Sequence, residues 1–409
     1  MLPNSDPLIP GNKFFRFFFH GLFITGLIPF LPAVFLFLPE NIAGFNYTGW
    51  AWMTMLAITL ITLPAIRRVG FPLLLWLPWI LYLVLYIIVD FSLPGLQLTL
   101  QYLLPLLIGV TASGFTYSPA LLQWLGKRAA LYFSIITILS FIYIVATGFS
   151  PQSAAVPMIL SVAGALMIAL FSVRKNIIYL LLFFLLLIIP VAMITRMGIV
   201  SFLLIFVLNF ANRDLIQKLL FLALGIPLGL FIFHSSSFQA KTFKTGEGQI
   251  KDLSFNYYQS ETINSSGRTT WYLALESGIA HSPVWGNGPR SDNFAFKEYG
   301  FKSGEGHNDY LTVRYNYGWV GLCLLLLALA GQFYWLWKRR RRYRQSIRLF
   351  IVWSAVMTLF FSFLAFMYTD NILKYTIFFP NLFFAMTGIL SGSFISEDSP
   401  VLPETDVSL

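Results

Sequence analysis

Long apolar runs separated by short polar gaps set the rhythm of this chain. Twelve runs read as helical spans: 14–38, 49–66, 70–89, 97–116, 129–148, 155–173, 177–194, 198–211, 217–234, 313–337, 349–368 and 375–395. A bilayer crossing takes about 20 residues of helix. The runs are continuous, whereas the strands of a membrane barrel would alternate with period two, so the pattern predicts helices. The eighth run is short and is expected to tilt or to borrow length from its neighbours. The first exceeds the core of a signal peptide and is read as a permanent span. One polar stretch, from about Ser235 to Thr312, breaks the rhythm. The chain thus divides into nine spans over 1–234, an external, partly helical loop or lid over 235–312, three spans over 313–395, and a disordered tail over 396–409.

Composition fits this reading. Hydrophobic residues make up 57% of the chain and charged residues only 11%, against roughly 25% charged in soluble domains. The expected class is an all-α, polytopic integral membrane protein. A net charge of +10 raises nucleic acid as a partner, but no basic patch interleaves with stacking aromatics on a soluble face, and none is expected to bind. The basic residues instead collect on one side. With the N-terminus in the cytoplasm, Lys13, Arg16, Arg67, Arg68, Lys127, Arg128, Arg174, Lys175, Arg213, Lys218 and the run from Lys338 to Arg348 all fall on the cytoplasmic face. Apart from eight basic residues in or just past the long insert, only Arg196 and Lys374 violate that distribution. The positive-inside rule then places both termini in the cytoplasm and the insert outside. A charge that breaks the rule costs insertion free energy, which marks Arg196 and Lys374 for a purpose.

The insert holds the polar chemistry. It ends in Gly304-Glu305-Gly306-His307-Asn308-Asp309-Tyr310-Leu311. His307 stands among small and polar residues just before a span, where an imidazole can serve as a base near neutral pH. The plainer alternative is a solvated loop histidine. No histidine pair has metal-type spacing and Cys323 is the only cysteine, so no metal is expected. Arg268 opens a stretch through Ile279 that reads as a helix. Trp285-Gly286-Asn287-Gly288-Pro289-Arg290 is a glycine-rich turn whose backbone could approach a ligand. Arg196, Arg268 and Arg290 fall on one membrane face, and three guanidinium forks suit a ligand with two phosphates, although each alone would read as a surface charge. No nucleotide-binding fingerprint occurs, and no cofactor is expected.

These residues resemble the O-antigen ligase and polymerase superfamily of bacterial envelope glycosyltransferases. The resemblance lies in Thr195-Arg196 at the end of a mid-chain span, Arg268 with Trp271, Gly286-x-Gly288, and His307-Asn308-x-Tyr310-Leu311. Gly318-x-x-Gly321-Leu322 and Asp370 follow. It covers about Leu180–Ala330, and the rest of the chain by hydropathy alone. It implies a GT-C-like, many-span transferase that needs neither metal nor nucleotide and works at the periplasmic face of the bacterial inner membrane. Its donor would be a glycan on undecaprenyl diphosphate and its acceptor a sugar hydroxyl of lipid A–core, with membrane lipids around it. By motif position Arg196, Arg268 and His307 would be catalytic. Arg290, Asn308, Tyr310, Asp370, Gly286 and Gly288 would bind substrate.

Three other readings stay open. A polymerase would extend the glycan on its lipid carrier, and related enzymes attach glycans to protein. A transporter or flippase of lipid-linked sugar would place its charges near the bilayer midplane, whereas Arg196, Lys374 and Asp370 fall at span ends. A structural scaffold is the last.

Overall fold

The computed structural model describes residues 10–35, 37–148, 152, 155–211, 215–253, 261–265, 268–301 and 306–393. Glu305 and the tail 396–409 lie outside the described residues. The membrane-type helices come first: α1 (Pro10–Leu27), α2 (Tyr47–Thr62), α3 (Leu73–Val89), α4 (Leu93–Ser113), α5 (Pro119–Thr147), α6 (Ala155–Arg174), α7 (Ile177–Ala192), α8 (Arg196–Leu208) and α9 (Leu215–Phe233). The insert contributes α10 (Ser236–Thr242), α11 (Arg268–His281) and α12 (Ser291–Glu298), and the chain continues with α13 (Asp309–Lys338), α14 (Ile347–Thr369) and α15 (Pro380–Gly392). Eight segments are long and apolar enough to cross a membrane: Lys13–Val34, Tyr47–Ala65, Leu93–Ser113, Pro119–Thr147, Ala155–Arg174, Leu215–Phe233, Asp309–Lys338 and Ile347–Thr369. Each remaining apolar run carries a shorter helix, α3, α7, α8 or α15. The protein is an all-α chain of the multi-pass membrane type. Among the described residues the strands are β1 (Asn41–Ile42) and β2 (Phe45–Asn46), a short antiparallel hairpin pairing Asn41 with Asn46.

Local sequence explains the helix starts. The side chains of Asn46, Ser92, Ser118, Asn176 and Asn308 accept hydrogen bonds from first-turn amides, replacing intrahelical partners those amides lack. The outward faces are apolar, with Leu74, Ile88, Val89, Ile216 and Phe231 largely exposed. Such surface suits lipid tails rather than water.

α15 is the central pillar, with all of its residues buried. It packs on α4 through small residues: a Cβ on Gly388 would stand 2.4 Å from the Gly109 carbonyl, and one on Gly392 2.7 Å from that of Ser113. Gly388-x-x-x-Gly392 lets the two backbones meet where side chains would hold them apart. Hydroxyls join α6, α8 and α14: Ser201 Oγ lies 2.9 Å from the Oγ atoms of both Ser161 and Ser362.

α13 breaks at Gly318, whose φ of 64° and ψ of −167° are non-helical. The break frees main-chain groups that buried backbone must satisfy. The turn before α12 satisfies them. Asn287 N donates to Tyr315 O and Gly288 N to Asn316 O, both at 2.9 Å; Trp319 N donates to Pro283 O at 3.0 Å and Val320 N to Val284 O at 3.1 Å. The insert is thereby stitched into the bundle.

Candidate active site

His307 lies in the approach to α13. It holds a left-handed φ of 43°, an uncommon conformation for a residue with a Cβ. Asn308 follows as the cap of α13, its side chain accepting from Leu311 N at 3.1 Å. The Asn308 amide donates to Oδ1 of Asn371 at 3.1 Å, and Leu373 N donates to Oδ2 of Asp309 at 3.1 Å. These two bonds fasten the start of α13 to the turn between α14 and α15. They bring Asp370 to His307, with Nδ1 to Oδ1 at 3.7 Å. That is an electrostatic contact rather than a formed hydrogen bond. The Trp271 ring of α11 lies 5.0 Å from the imidazole, tilted by 32°. The imidazole is held by an acid at Nδ1 and an aromatic plane beside it, and it keeps a third of its side-chain surface. A histidine so oriented can take a proton at Nε2 while the carboxylate stabilises the charge that forms.

His307, Asp370 and Asn371 line a cavity of about 420 Å³. The β1–β2 hairpin and its neighbours also line it, through Glu40, Asn46, Tyr47 and Thr48, as does Gln152. The Trp50 indole fixes the hairpin by donating to Ile42 O at 2.9 Å.

The arginines are positioned separately. Arg196 begins α8, and its Nη1 donates to Asn264 O at 2.8 Å. The Lys241 ammonium bonds Met193 O at 3.2 Å, and burial together with the Arg196 charge lowers its pKa. Arg268 opens α11, one turn before Trp271, which places the two on neighbouring positions of one helix face. Arg290 caps α12 with a left-handed φ of 70° and stands 3.6 Å from Asp292. Asp292 and Asn316 exchange two bonds, at 3.0 and 2.9 Å. Burial raises the Asp292 pKa, opposed by Arg290. Lys374 joins this group: burial and the Arg290 charge push its pKa down to about 7, with Asp292 opposing.

The structure therefore brings His307 and Asp370 to one cavity, with Asn308 buried as the cap next to the histidine and Trp271 against the imidazole. Tyr310 is placed otherwise, its hydroxyl donating to Leu364 O of α14 at 3.0 Å. Gly286 and Gly288 are also turned inward. Gly286 N donates to Ser282 O and Gly288 N to Asn316 O, and a Cβ on either would strike Gly318 N or Asp90 Oδ2. The close backbone approach expected there is to the chain itself. Among the described residues no group of three or more His, Cys, Asp or Glu side chains converges on a metal-binding geometry. Sequence reasoning passed over Glu40, Tyr47, Gln152, Lys241 and Asp292. Glu40 was the readable one, an acid in the gap between the first two runs on the insert's side.

No curated protein matches the chain. A family model described as O-antigen ligase matches residues 181–326, which run from within α7 through the insert to the middle of α13 and include Arg196, Arg268, Arg290 and His307. That match supports membership of the chain in the O-antigen ligase/polymerase superfamily.

Proposed function

We propose that the protein is a glycosyltransferase that moves O-antigen glycan from undecaprenyl diphosphate to a sugar hydroxyl of lipid A–core at the periplasmic membrane face, without metal or ATP. The observation that carries this reading is His307, backed by Asp370 and opening onto a cavity. In the reaction the acceptor oxygen bonds to the anomeric carbon as the bond from that carbon to the diphosphate oxygen breaks. The acceptor proton passes to His307, and the lipid diphosphate leaves. Negative charge grows on the departing phosphate, which Arg196 and Arg268, with Arg290, stabilise as preorganised cations. His307 is the catalytic base, and Asp370 orients it. Asn308 positions the histidine through its amide.

The test is reconstitution. Purified protein, lipid-linked glycan and lipid A–core, mixed without ATP or metal, should yield a heavier lipopolysaccharide. Longer carrier-bound glycan in its place would make the protein a polymerase, and the absence of both products would overturn the transferase reading.

A further inference from the structure

The cavity beside His307 differs in charge from the insert. Its polar wall carries the carboxylates of Glu40 and Asp370 with the uncharged groups of Asn46, Tyr47, Thr48, Gln152 and Asn371. Among the described residues no lysine or arginine lines it. Arg196, Arg268 and Arg290 are held by other elements, as described above. The imidazole thus belongs to a cavity whose charged carboxylate lining is acidic, and the arginines and Lys374, whose ammonium is 5.2 Å from the ring of the lining residue Tyr375, are outside that lining. The two surfaces suit opposite halves of a reaction between a diphosphate and an alcohol.

The volume, about 420 Å³, falls within the roughly 300–1,000 Å³ of small-molecule sites. Amide and hydroxyl groups among the aromatic faces of Tyr47, Tyr375 and Phe378 suit a saccharide, which presents hydroxyls at its edge and C–H bonds on its faces. Two carboxylates without a lining cation would repel an anionic sugar, since like charges brought together cost affinity.

We infer that this cavity is the acceptor subsite and that it selects an uncharged saccharide unit, with Glu40 discriminating against acidic or phosphorylated sugars. This rests on the transferase reading above. It adds where the acceptor sits and which charge it carries. Glu40 lies on the rim, exposed, just before the β1–β2 hairpin. It can meet the sugar away from the reacting hydroxyl, which makes it a specificity residue rather than a catalytic one.

The experiment compares two acceptors that differ only in the terminal unit, a neutral hexose or the corresponding uronic acid, on the same lipid-linked core. The wild type should prefer the neutral acceptor in kcat/KM. Glu40→Gln should reduce that preference by about tenfold, chiefly by improving KM for the acidic acceptor. Glu40→Lys should reverse the preference. Equal use of both acceptors by the wild type, or an unchanged ratio in Glu40→Gln and Glu40→Lys, overturns the inference. Absence of transfer to both acceptors by the wild type overturns the ligase reading itself, so the two failures are distinct.

Discussion

The amide of Asn308 donates to Oδ1 of Asn371 at 3.1 Å, so the residue after the histidine is tied to the residue after the aspartate. The pairing of His307 with Asp370 is set by main chain and caps and does not depend on the weak 3.7 Å contact alone. His307→Ala should lower transfer roughly 100- to 10,000-fold, the usual worth of a general base, with insertion and thermal stability kept. Asn371→Ala should act through the pair, lowering kcat more than it raises KM. Single-turnover assays on both variants check this, and near-normal transfer by His307→Ala removes the imidazole from the mechanism.

Arg196 presents a planar fork, and the Asn264 carbonyl takes one of its donors. If two parallel bonds to phosphate matter there, Arg196→Lys should fail nearly as badly as Arg196→Ala, because an ammonium keeps charge without the fork. Donor turnover measured for both variants decides the point. Full rescue by lysine would reduce the role to charge.

Gly318 cannot accept a side chain. A Cβ there would stand 2.1 Å from the Val284 carbonyl, at a φ of 64°. Strain and overpacking of this kind cost roughly 1–3 kcal/mol each. Gly318→Ala should lower the unfolding temperature in detergent and loosen the segment 283–289, read as faster amide exchange at Asn287 and Gly288. Unchanged exchange there would contradict the stitched geometry.

Lys374 binds its proton less tightly in the folded protein, with a pKa of about 7 against 10.5 for the free side chain. Between those values the unfolded chain holds more protons, so this group makes stability rise with pH from about 7 upward and weighs fully against folding below it. Lys374→Met should remove that part of the slope and be the more stable form in acid. Thermal unfolding of both proteins across this range measures the difference.

Much of this was legible in order. Each apolar run became a helix because burying or lipid-facing apolar length dictates it, and the structure sets His307 3.7 Å from Asp370. The glycines misled on a point of direction. A Gly-x-Gly turn announces a close approach but not what approaches, and here it is the broken α13. Gly388-x-x-x-Gly392 stood in plain view as a packing signature and was passed over inside an apolar run. The cavity wall was hidden for a different reason. Glu40 and Gln152 lie far from His307 in sequence, and only the packing of the bundle makes them neighbours.

The seam between the 283–288 turn and the interrupted α13 is made mostly of peptide groups, with the Asn287 side chain adding a bond to Tyr315 O at 3.0 Å. Evolution can therefore vary most side chains of this floor so long as Asn287 and the glycines at its tightest points stay. It also means that α12 and the bundle beneath it behave as one body.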